Sequence, residues 1–123
     1  MKRNLELIRH ILLTFEEQHN GKNKIVNADF YSDDYTPEEV SYHLTLLYDD
    51  SYIKATPIRM AGTHLDCYSD HSITMEGHDY LDSVRDKKVW DATKKKIGDQ
   101  LTSAPLDIVK TVASKVILTM LNI

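Results

Sequence analysis

A chain of 123 residues, 41% hydrophobic and 28% charged, is long enough for one soluble domain with a modest core, and its single cysteine, Cys67, excludes an internal disulfide. The net charge of −4 is unevenly spread: residues 25–53 hold seven carboxylates (Asp29, Asp33, Asp34, Glu38, Glu39, Asp49, Asp50) and no Lys or Arg, while the segments on either side are slightly basic. A field of that sign repels nucleic acid and attracts basic partners.

The first helix is expected from Asn4 to Gln18, where Leu5, Ile8, Ile11, Leu12 and Phe15 recur at the spacing of one buried face and Asn20-Gly21 supplies a stop. Lys24-Ile25-Val26 reads as a short strand. The second helix has the clearest start: Thr36 caps, Pro37 fits the first position and Glu39 completes a capping box, with Val40, Leu44 and Leu47 as the inward stripe. Tyr52–Arg59 and His64–Ile73 read as two strands joined by a turn at Ala61-Gly62-Thr63. Simple alternation puts Leu65 and Cys67 on one face and His64, Asp66 and Tyr68 on the other. Thr74 caps a third helix, which the polar run Arg85-Asp86-Lys87-Lys88 bends or interrupts, and Gly98 ends it.

Ser103-Ala104-Pro105 then opens a last helix whose apolar residues cover an arc of roughly 220°, more than the roughly 100° that a surface helix needs. The surplus suggests a homodimer through Val109, Val112, Val116 and Met120. The expected architecture is therefore α+β, a winged helix-turn-helix-like domain over residues 1–98 followed by a C-terminal helical extension over residues 99–123 that acts as a dimerisation element.

Three blocks carry a resemblance: Met1-Lys2-Arg3-Asn4-Leu5-Glu6-Leu7-Ile8-Arg9; Glu38-Glu39-Val40-Ser41-Tyr42-His43-Leu44-Thr45-Leu46-Leu47 with Ile53; and Thr74-Met75-Glu76-Gly77-His78-Asp79-Tyr80-Leu81-Asp82 with Arg85-Asp86 and Val89-Trp90. Together they resemble a bacterial and phage family of unknown function with an expected winged-helix fold. The resemblance implies an origin in a phage, prophage or other mobile element, and no reaction. That family often has Trp where Met75 stands here, and Gly in the turn occupied by Asp50-Ser51.

No phosphate loop, nucleophile elbow or paired-carboxylate spacing is present, so no enzyme, catalytic residue or cofactor is expected. His64, Cys67, His71 and His78 match no common structural zinc spacing, and no metal site is expected. Glu76-Gly77-His78-Asp79 reads as a helix start in which Gly77 lets a neighbouring backbone approach. The expected function is a non-enzymatic interaction module binding a basic protein partner through Glu38, Glu39, Tyr42, Thr45, Asp49 and Asp50. The alternative is a DNA-binding regulator of phage or prophage genes using Lys54, Arg59, Lys94, Lys95 and Lys96 on phosphates. Charges follow Met1 too closely for a signal peptide, and Asp107, Lys110 and Lys115 interrupt the short apolar C-terminal stretch. The expectation is thus a cytoplasmic protein without membrane attachment.

Overall fold

The computed structural model of the chain describes residues 1–18, 25–98 and 104–122. The elements are α1 (Leu5–Gln18), α2 (Pro37–Asp49), β1 (Ile53–Ile58), β2 (Cys67–Ile73), α3 (Met75–Val84), α4 (Lys87–Ile97) and α5 (Leu106–Met120), with a 3-10 turn over Asn27–Phe30. This α+β arrangement, with a small antiparallel sheet after α2, is compatible with a winged-helix-like domain carrying a C-terminal helix. The expected Asn20-Gly21 stop, Lys24 of the expected first strand, and Ser103 lie outside the described residues.

Local chemistry explains most of the boundaries. Asn4 starts α1 by accepting the N–H groups of Glu6 and Leu7 on its Oδ1, at 3.0 and 3.2 Å. Thr36 and Glu39 form the capping box at α2, with Pro37 in its first turn. The far end of α2 closes as a Schellman motif: the Tyr52 N–H donates to the Leu47 carbonyl and the Ser51 N–H to the Tyr48 carbonyl. Ser51 takes the left-handed conformation, φ +64°, that the motif requires at this position. A glycine in this turn, as in the resembling family, would adopt it without strain. Asp86 breaks the third helical stretch in two by accepting the Val89 N–H at 3.1 Å, which starts α4. Gly98, φ +62°, ends α4.

The sheet departs from the expected pattern in two places. Ile25 and Val26 form no strand, because the Val26 N–H is taken by the Asp29 carboxylate at 2.8 Å. Among the described residues, the His71 N–H still donates to the Ile25 carbonyl. In addition, β2 begins at Cys67 rather than His64, and its pairing with β1 slips between Lys54↔Ser72 and Thr56↔Ser69. One residue more on β2 than on β1 makes a bulge there. Tyr68 and His71, three apart, consequently both turn inward, while Cys67, paired in regular register with Ile58, is also buried.

A continuous apolar core joins the elements. Leu5, Ile8, Ile11, Leu12 and Phe15 of α1 meet Val40, Leu44 and Leu47 of α2, Tyr80, Leu81 and Val84 of α3, and Trp90 of α4. α5 is part of this core, contributing Leu106, Val109, Ala113 and Val116. Gly77 fits because a Cβ there would collide with the Tyr52 carbonyl oxygen and the Ile73 side chain, so α3 lies directly on the start of β1.

Candidate protein-interaction surface

On α2 the inward positions are Val40, Leu44 and Leu47, all with at most 1% exposure. Two polar residues on the flanks are tied down as well. Ser41 Oγ donates to the Asp66 carbonyl at 2.7 Å. His43 Nδ1 lies 2.7 Å from the Glu39 carbonyl and its Nε2 accepts the Asn4 N–H at 2.8 Å, which fixes the neutral ring with its proton on Nδ1. Burial lowers the imidazole pKa, a tendency only partly opposed by the Glu39 carbonyl and carboxylate.

The remaining face is a straight stripe. Glu38, Tyr42, Thr45 and Asp49 follow one another at intervals of four, three and four, which stacks them along one side of a helix. Glu38 and Asp49 are exposed, and Tyr42 is 37% exposed. Thr45 is half-buried, its hydroxyl 2.8 Å from that of Tyr68. Glu39 is partly committed to the capping box, where it accepts the Thr36 N–H at 3.3 Å. Asp50, exposed, is the C-cap. Tyr31, 40% exposed, extends the surface at the Glu38 end; burial raises its pKa, with Cys67 and Glu38 adding to the effect. Sequence reasoning missed Tyr31, whose only signal was an aromatic ring in an acidic loop.

The electrostatics of the stripe are one-sided. Among the described residues, no Lys or Arg forms an ion pair with Glu38, Asp49 or Asp50. Glu38 and Glu39 gain from the positive end of the helix dipole, about 0.3–1 kcal/mol each. Asp49 and Asp50 sit at the negative end, with no basic residue in the last turn, and lose on the same scale. Local helix energetics therefore account for the first pair and oppose the second.

The basic residues considered for nucleic acid divide into two groups. Lys54, Arg59, Lys95 and Lys96 are exposed. Lys94 is not available in the same way: its Nζ is 2.6 Å from Glu6 Oε1 and 3.5 Å from Asp91, and lies over the Trp90 ring at 5.6 Å. The same Glu6 accepts the Trp90 indole N–H at 3.2 Å, so Lys94 joins α4 to α1. Glu6 raises the Lys94 pKa.

The apolar surplus on α5 is distributed differently from expectation. Val109 and Val116, 0% and 4% exposed, belong to the interior and cannot face a second subunit. Val112 is half-buried, and Met120 is 50% exposed, in the company of Ile108, Leu118 and Leu121. The histidines and the cysteine have separate fates: His71 is buried between Phe15 and Phe30 with Asn27, Cys67 is buried, and His64 and His78 are exposed. No helix among the described residues is long and apolar enough to cross a membrane.

A protein from Haemophilus influenzae carrying the name "Uncharacterized protein" is 35% identical over 121 residues, spanning 98% of this chain and 99% of its own length. No solved structure matches the chain. The family model described as "Hypothetical protein (DUF2513)" matches residues 2–103, from the Asn4 cap through α4, and the chain belongs to that family.

Proposed function

We propose that this chain is a non-enzymatic, cytoplasmic interaction module of a phage, prophage or other mobile element. In this reading it binds a protein partner with a basic surface through α2. The observation that carries the reading is the Glu38–Tyr42–Thr45–Asp49 stripe, acidic at both ends and without an ion-paired counter-charge among the described residues. Tyr42 is the kind of rigid amphipathic anchor that concentrates binding energy, and the carboxylates steer a basic surface toward it. A host protein surface that ordinarily holds nucleic acid has the right charge for this face. The exposed apolar side chains of α5 support a homodimer in which Met120 and Val112 take part, while Val109 and Val116 do not.

The test is affinity capture with the wild-type chain and with a Glu38→Lys/Asp49→Lys double variant. Captured protein should be basic, released by rising salt, and lost with the double variant. Equal capture by the double variant overturns the reading. A DNA-binding role is the second reading, favoured by the exposure of Lys54 on β1 and Arg59 just beyond it. It requires salt-dependent retardation of duplex DNA that disappears when Lys54, Arg59, Lys95 and Lys96 are neutralised.

A further inference from the structure

We propose that the cleft between the end of α2 and the start of α5 receives one long cationic side chain, Arg or Lys, from the protein partner. The inference rests on the proposed function and adds an anchor point to it. The cleft has a volume of about 310 Å³. Its apolar walls include Ile8, Leu46 and Leu106, with Tyr52 beside them, and its carboxylates are Asp49, Asp50 and Asp107. One cation lines it as well: the Arg3 guanidinium, which donates to the Ala104 carbonyl at 3.2 Å and forms no ion pair with those three aspartates among the described residues. Three carboxylates against one guanidinium leave the cleft anionic.

Acidity alone would say little, but two further features bear on it. Asp107 stands in the first turn of α5, where a helix favours an acid, whereas Asp49 and Asp50 stand at the wrong end of α2. A pair of acids kept against their own helix field marks a place where a local rule is broken, as functional sites do. Tyr52, which lines the cleft, is in addition an aromatic ring of the kind that attracts a cation.

Arg and Lys match this combination better than other guests do. Their methylene stems lie along apolar walls while the charged head reaches carboxylates, and Arg adds a fork of five donors. A bare metal ion is a poor fit, since the described residues contain no group of three His, Cys, Asp or Glu side chains placed to hold one. Asp49 also ends the α2 stripe, so a partner laid along that stripe brings its side chains to the mouth of the cleft.

The test follows backbone amides of the nitrogen-15-labelled chain during titration with the blocked tripeptide acetyl-Gly-Arg-Gly-amide. The same peptide with norleucine in place of Arg is the control. Saturable shifts are expected at Leu46–Tyr52, Leu106 and Asp107. They should weaken by about tenfold or more in a well-dispersed Asp49→Asn/Asp107→Asn variant, and the norleucine peptide should give none. Absence of saturable shifts, equal response to norleucine, or unchanged affinity of the double variant overturns the cleft. A hexa-arginine peptide separates the two levels. Shifts at Glu38–Thr45 without shifts in the cleft leave the α2 reading standing and remove this inference, while no shifts at either place remove both.

Discussion

The Asn4 backbone N–H donates to His43 Nε2 at 2.8 Å, so the residue that caps α1 is itself held by the helix that carries the acidic stripe. The imidazole serves as an acceptor there only while Nε2 is unprotonated. Its pKa lies below the ordinary value of about 6.5 because burial disfavours the charged form. Of the charged groups around it, Glu39 raises the value and Arg3 lowers it. The native state therefore binds this proton less readily than the unfolded chain. The stability contribution is complete above about pH 6.5 and is lost as the pH falls through the depressed native value. Urea denaturation across pH 5–8 should show this decline, and His43→Ala should flatten it while costing about 1–3 kcal/mol at pH 7.5. An unchanged slope in the variant would assign the pH dependence to other groups.

Ser51 occupies the left-handed position of the motif that ends α2, and the Thr74 hydroxyl donates to its carbonyl at 2.6 Å. Only the backbone of Ser51 enters those hydrogen bonds, so glycine preserves them and relieves the Cβ strain. Ser51→Gly should stabilise the chain by about 0.5–1 kcal/mol, read as a higher urea midpoint with an unchanged slope. A loss of stability would mean that the Ser51 side chain contributes more than the turn costs.

The two ends of α2 also show how much of the molecule was legible in the sequence. Thr36, Pro37 and Glu39 announced its start because capping is settled within four residues, while the polar run Arg85-Asp86-Lys87-Lys88 marked only a bend or interruption, which Asp86 makes a break by capping α4. The inward triplet Val40, Leu44 and Leu47 followed from helical period alone. The bulge that turns Tyr68 and His71 to the same side was hidden, since it depends on how β2 meets β1 and on the core rings waiting for His71. Lys94 was equally opaque: its partner Glu6 lies 88 residues away, and in sequence it is indistinguishable from Lys95 and Lys96. The stripe was partly legible, with Ser41 and His43 assigned inward only by contacts to Asp66 and Asn4.

Gly77 is where α3 comes closest to another element. Adding a methyl group there forces α3 away from the Tyr52 carbonyl and the Ile73 side chain. Gly77→Ala should destabilise the chain by about 1–3 kcal/mol despite its better helix propensity, measured by urea denaturation. Gly62 offers the opposite control: its φ is +81° but a Cβ would meet open space, so Gly62→Asn, a residue that tolerates this conformation, should leave stability nearly unchanged.

Lys94 and its two neighbours should behave differently when neutralised. Lys94→Ala removes the contact to Glu6 and the cation over Trp90, in a setting where side-chain exposures of 29% and 40% leave part of the interaction screened. A loss of about 1 kcal/mol is expected. Lys95→Ala/Lys96→Ala, on exposed positions, should change stability by no more than about 0.5 kcal/mol. A DNA-retardation experiment should therefore use the second pair, because loss of retardation in Lys94→Ala would mix binding with folding.

The residues of α5 allow the dimer and the core to be tested separately. Val109 and Val116 fill the interior, so Val109→Ala and Val116→Ala should each cost stability, on the order of 1–3 kcal/mol, without altering the mass of the particle. Met120 and Leu121, 50% and 61% exposed, stand at the end of the helix where substitution leaves the core intact. If a second copy covers this end, light scattering of the wild-type chain at micromolar concentration gives twice the monomer mass, and Met120→Glu/Leu121→Lys returns it to one. A monomer mass for the wild type removes the dimer from the proposal and leaves the α2 surface unaffected, since none of its stripe residues lies on α5.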